Sequence, residues 1–188
     1  MRFVRNPVAG ALVLLALLSA CGGSGGGSPS SPEAPAPAPT AAPGSPGGAP
    51  IFNPSVLHET TLDLDPTAWQ ALRRNFQSNQ YYAANLTVDG VAVLQVGVRS
   101  RGDGSRSEEK PGLKVEFDKY VPAQEYYGYK SLVIDNLTTD ASMLRERLAY
   151  LVFEAMGIAA PSNAHARLTV NGEYWGLFAL VEPVSKPC

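Results

Sequence analysis

From Ile51 onward the order of apolar and polar residues follows two periods. Val56 to Leu64 has strand character, and Asp65-Pro66 supplies a helix N-cap followed by proline at the first helical position. Trp69, Leu72 and Phe76 then recur at i, i+3 and i+7 with Gln70, Arg73 and Arg74 off the stripe. That spacing predicts an amphipathic helix of about three turns. Ala84, Leu86 and Val88 alternate with Asn85, Thr87 and Asp89, and Asp89-Gly90 predicts a two-residue hairpin into the next strand.

In that next strand Leu94, Val96 and Val98 are expected on one face, and Gln95, Gly97, Arg99 and Arg101 on the other. Leu113, Val115 and Phe117 form the apolar set of a further strand, from which Lys114 faces away. Tyr120 to Tyr129 is aromatic and irregular. Its Tyr126, Tyr127 and Tyr129 either pack beneath the segment or form an exposed binding patch. Leu132 to Ile134 is a short apolar run ending at Asp135-Asn136.

Asp140 or Ser142 is placed to cap a second helix, which Gly157 ends. Leu144, Leu148, Leu151, Val152 and Ala155 make its main stripe, while Glu146, Tyr150 and Phe153 put a carboxylate on a second, largely apolar face. Glu146 there either meets a cation or lies at the surface beside Arg145 and Arg147. Ala166 to Val170 and Tyr174 to Val181 flank Asn171-Gly172, the strongest hairpin signal in the chain. These elements predict an α+β domain, a mostly antiparallel sheet of five or six strands with two helices packed on it.

The front of the 188-residue chain has a different character. Arg2 and Arg5 precede an apolar run from Ala9 to Leu18 that is too short to span a bilayer, and Leu18-Ser19-Ala20-Cys21 closes it. Residues 1–21 resemble a bacterial lipoprotein signal peptide with its lipobox. Acylated Cys21 would then anchor an exported protein to the membrane of the bacterial cell envelope. Residues 22–50 are Gly, Ser, Pro and Ala almost throughout and predict a disordered linker. With Cys21 acylated, Cys188 is the one cysteine left, which excludes an intramolecular disulfide. The two histidines, His58 and His165, belong to no HxxxH pattern and no GxSxG occurs, so neither a histidine metal site nor a serine-hydrolase elbow is expected.

The chemistry concentrates between Val96 and Phe117. Gly102, Gly104 and Ser105 are small enough to leave backbone N–H groups open to an anion, and Arg99, Arg101, Arg106, Lys110 and Lys114 surround them with positive charge.

Val98-Arg-Ser-Arg-Gly-Asp-Gly-Ser-Arg106, Lys110, Lys114-Val-Glu-Phe117, Asn136, Asp140 to Glu146, Pro161, Val170 to Leu177 and Val181-Glu-Pro183 together resemble the spore-coat CotH family in order and spacing. The resemblance covers nearly all of residues 56–184. It implies an atypical protein kinase that phosphorylates Ser or Thr with ATP and Mg2+, on a diverged kinase fold whose small lobe this chain would supply. In those terms Arg101 to Arg106, with Gly102, Gly104 and Ser105, looks like the phosphate loop. Lys114 is the candidate nucleotide lysine, with Lys110 as competitor, and Glu146 is its helix partner. The family's metal-binding and catalytic acidic residues lie beyond the match. Residues 51–188 are therefore expected to be a truncated N-terminal domain, with no catalytic or metal-binding residue of its own and inactive alone. Besides the membrane, a protein substrate or envelope partner is expected, and no nucleic acid; the long tether and exported location equally suit a surface-tethered module that binds a partner without chemistry.

Overall fold

The computed structural model describes residues 50–184. The signal peptide, Cys21, all of the linker but Pro50, and Cys188 lie outside these described residues. After a 3-10 turn at Pro50–Phe52, the elements are β1 (His58–Leu64), α1 (Pro66–Arg74), β2 (Tyr82–Val88), β3 (Val91–Arg101), β4 (Gly112–Glu116) and β5 (Ser131–Asp135). Then follow α2 (Arg145–Ala155), β6 (Asn163–Val170) and β7 (Glu173–Val181).

The expected α+β arrangement resembling a kinase small lobe does not form. Seven strands close into a mixed barrel in the order β1-β2-β3-β4-β5-β7-β6. Closure comes from β1, which pairs antiparallel with β2 along one edge and parallel with β6 along the other, His58 opposite Ala166 and Leu62 opposite Val170. No sheet edge is then left open. Apolar side chains from all seven strands fill the interior, among them Leu62, Leu86, Val98, Leu113, Ile134 and Phe178. Such a sheet covers its own apolar face, so it needs no layer of helices.

Local chemistry explains the turns. Asp89-Gly90 and Asn171-Gly172 both take positive φ at both positions, as the tight β2–β3 and β6–β7 hairpins require. Asp65 accepts from the backbone N–H groups of Thr67 and Ala68 and caps α1, which sends Trp69 and Leu72 into the core. Phe76 lies past the end of that helix. Within β3 an extra residue breaks the expected alternation: Ala84 pairs with Val96 but Leu86 pairs with Val93, and Gln95 bulges out at φ 55° with its N–H on Asn85 Oδ1. Val93 is therefore buried and Leu94 exposed, the reverse of the simple period.

Tyr126 is buried against Phe117 and Tyr127, and Tyr129 stacks edge-on with Phe52 at 5.3 Å. Tyr126, Tyr127 and Tyr129 thus pack rather than form an exposed patch, while Tyr120 stays exposed. No described helix is long and apolar enough to cross a membrane.

Helix α2 ends in a Schellman motif, with Ile158 N–H on the Phe153 carbonyl and Gly157 N–H on that of Glu154. Its start is held by Asp140, whose carboxylate accepts from Arg145 N–H at 2.6 Å and from Ser142 N–H and Oγ. These bonds lower the Asp140 pKa to about 2. The helix buries none of its residues. Tyr150, together with Met143 before the helix, rests on a small cluster of Val133, Leu137, Ala179 and Val181 outside the barrel.

Candidate functional site

Register on the outer face of β3, β4 and β5 assembles the site. Arg99 lies opposite Lys114, and Lys114 opposite Val133; one row on, Arg101 lies opposite Gly112, whose other neighbour Leu113 faces Ile134. Gly112 carries no side chain, so Arg101 reaches across it to the Asp135 carboxylate at 3.9 Å. A Cβ at Gly112 would come within 2.8 Å of the Arg101 carbonyl oxygen, so this row tolerates only glycine without shifting the strands. Beside these rows opens a cleft of about 650 Å³ whose walls include Arg99, Arg101, Lys114, Lys130, Glu125 and Glu182.

The glycine loop leaves the barrel directly after Arg101. Gly102 and Gly104 take φ of +141° and +81°, backbone shapes that favour glycine, and the space around Gly104 is open. Asn136 fastens the loop to the end of β5. Its buried Nδ2 donates to the Ser105 carbonyl at 2.9 Å and to the Lys110 carbonyl at 2.7 Å. Arg106 turns away from the open side. It donates to the Gly102 carbonyl, to the carbonyls of Phe76, Gln77 and Ser78 after α1, and to Asn79 Oδ1. Its position is that of a clamp between two connections.

The two lysines hold different places. Lys110 Nζ donates to the Leu177 carbonyl at 2.8 Å and sits 4.7 Å over the Phe178 ring. Burial lowers its pKa, partly opposed by the charge of Asp135. Lys114 stands on the cleft face and pairs with Glu116 at 2.7 Å, two residues along the same strand. No ion pair joins Lys114 to Glu146 among the described residues.

Glu146 instead accepts from the Tyr150 hydroxyl at 2.8 Å, and its Oε2 is buried without a hydrogen-bond partner among the described residues. Burial raises its pKa and the charge of Asp135 adds to the rise, against lowering by the Tyr150 bond and by Arg101. The structure therefore brings Arg101, Asp135, Glu146 and Tyr150 together, beside the cleft that holds Lys114. Asp135 and Lys130 were not singled out by the sequence. Asp135 stood out only as the end of an apolar run, and its pairing with Arg101 depends on a three-strand register that no local pattern shows.

The raised pKa of Glu146 has a testable sign. The neutral acid is favoured in the folded state, so its contribution to stability is full below the ordinary value of 4.5 and is lost as pH rises through the raised one. Glu146→Gln keeps an acceptor for Tyr150 without a charge to bury. The variant is expected to melt above the parent from about pH 6 upward and to lose that lead toward pH 3. A parent that gains on the variant as pH rises would contradict this assignment.

Residues 98–187 match the family model described as CotH kinase protein. Over 70 residues the chain is 30% identical to the inner spore coat protein H-like protein of Bacillus subtilis (strain 168), a stretch covering 37% of this chain and 21% of that relative. The chain thus matches about a fifth of the relative's length.

Proposed function

Since residues 98–187 belong to the CotH family, we propose that the cleft on the outer face of β3, β4 and β5 binds the phosphates of ATP, in a protein whose reaction is phosphoryl transfer to protein Ser or Thr. The observation that carries this reading is that Arg101 and Lys114 line one cleft of about 650 Å³, with Arg99 beside them held by Tyr81 and Asn79. A polyphosphate carries several negative charges, and the Arg101 guanidinium and the Lys114 ammonium on a rigid sheet meet them without moving backbone. Gly102 and Gly104 let the adjoining loop approach such a ligand closely.

The same geometry favours Lys114 over Lys110 as the nucleotide lysine. Lys114 is on the cleft and needs only to leave Glu116, whereas Lys110 is tied to the Leu177 carbonyl and the Phe178 ring. Arg106 contributes by holding the loop rather than by touching phosphate. For Mg2+, the groups present that fit are Asp135 and Glu146, which repel one another and would both be relieved by a divalent cation carried on the nucleotide; the ion would neutralise phosphate charge. Among the described residues no set of three or more His, Cys, Asp or Glu side chains gathers to hold a metal unaided. Export and membrane anchoring through Cys21 belong to the same proposal and rest on the sequence of residues 1–21.

Calorimetry of the full chain with ATP and Mg2+ tests the reading. Sub-millimolar binding is expected, weakened roughly ten-fold by Arg101→Ala and by Lys114→Ala, with a smaller effect from Lys110→Ala. Absence of binding at millimolar ATP, or binding indifferent to Arg101 and Lys114, would refute it.

A further inference from the structure

We propose that α2 is the interface of a weak symmetric dimer, in which two copies of this chain pair their α2 helices antiparallel. The helix rests on the barrel by its less apolar side, that of Glu146 and Tyr150, and turns its main apolar stripe to solvent. Leu144 is 48% exposed, Leu148 57%, Leu151 44% and Val152 55%. Leu144, Leu148, Leu151 and Ala155 follow one another at spacings of four, three and four, the seam along which two helices interlock. A soluble surface seldom leaves such a stripe uncovered.

Charge selects the occupant. A two-fold axis between Ala149 and Tyr150 sets Leu148 against Leu151 of the second copy and Leu144 against Ala155 of the second copy. In that register Arg147 lies against Glu154 of the second copy, and symmetry makes the pair twice. A parallel pairing would set Arg147 against Val152 of the second copy and leave both charges unmatched. The Glu154 carboxylate makes no hydrogen bond or ion pair among the described residues, and Arg147 uses one nitrogen, Nη1, on Asn163. Along this edge Arg147, Leu151 and Glu154 line a cleft of about 320 Å³, which keeps both charged side chains at an open surface. The antiparallel arrangement also aligns the two helix dipoles favourably.

The contact is small. Eleven helical residues span roughly 16 Å, and two such helices bury on the order of 500 Å² per copy, below the roughly 800 Å² of a standard interface. The contact is that of a weak, concentration-dependent dimer.

Sedimentation equilibrium of the full chain, kept reduced so that cysteines do not crosslink, is the test. The mass should rise from monomer toward dimer between about 1 and about 500 µM. Leu148→Glu should abolish the rise with its melting curve unchanged, because Leu148 is exposed in the single copy. Arg147→Glu and Glu154→Arg should each weaken association by about ten-fold or more, and an equimolar mixture of the two should recover it, since each variant then meets its complement. A chain that stays monomeric throughout, association that survives Leu148→Glu, recovery that fails on mixing folded variants, or an α2 that binds only anionic vesicles would each overturn the proposal.

Discussion

Asn136→Ala is expected to destabilise the barrel by about 2–3 kcal/mol, because one buried amide serves two segments at once. Its Nδ2 donates to the Ser105 and Lys110 carbonyls, and its Oδ1 accepts from the Thr138 hydroxyl. Removing the amide strips both loop carbonyls of their partner while β5 and its neighbours keep their ladder. The loss should be local before it is global. Hydrogen exchange across residues 102–111 should accelerate more than across β4, and denaturant melts should give the total. Equal acceleration in loop and strand would mean that Asn136 supports the barrel rather than the loop. Under the nucleotide reading the variant also binds ATP less well, although it removes no positive charge.

Phe117→Ala should be the most damaging single truncation near the site, at about 3–5 kcal/mol by chemical denaturation. Phe117 has no exposed surface, follows directly after β4, and stacks at 5.5 Å on Tyr126, itself buried. The cavity left behind would loosen the irregular segment that Tyr126 anchors, since Tyr126 and Tyr129 exchange backbone hydrogen bonds across the intervening turn. A loss below about 1 kcal/mol would show that Tyr126 can move into the space.

Local chemistry made part of this structure legible in advance. Asp65-Pro66 placed the start of α1, and Asp89-Gly90 and Asn171-Gly172 placed both tight hairpins, because each sequence suits one backbone shape. The inward set of β4 and the outward Lys114 followed from alternation. What did not follow is long-range. Nothing near His58 signals that β1 will find β6 as a parallel neighbour, so a closed barrel read as an open sheet. The bulge at Gln95 reversed Leu94 and Val93 because it depends on the opposite strand.

The site divides the same way. The cluster of basic residues around the glycine loop was visible, but their assignment was not. Arg106 is drawn off by carbonyls near position 77, and Arg101 is joined to Asp135 through a glycine gap. Periodicity gave both stripes of α2 without saying which one faces the barrel. The richer stripe points outward because the barrel offers Glu146 and Tyr150 a place beside Arg101 and Asp135.

The parallel seam between β1 and β6 also sets the order of events as the chain folds. The Glu59–Arg167 ion pair that bridges it links residues 108 positions apart. The first strand must therefore wait, with one edge unsatisfied, until almost the whole barrel sequence has been made. Contacts of that span slow folding, and an edge left waiting is a template for pairing with a neighbouring chain. The step most exposed to aggregation is then the closing of this seam, and a chaperone that protects the fold would act by shielding β1.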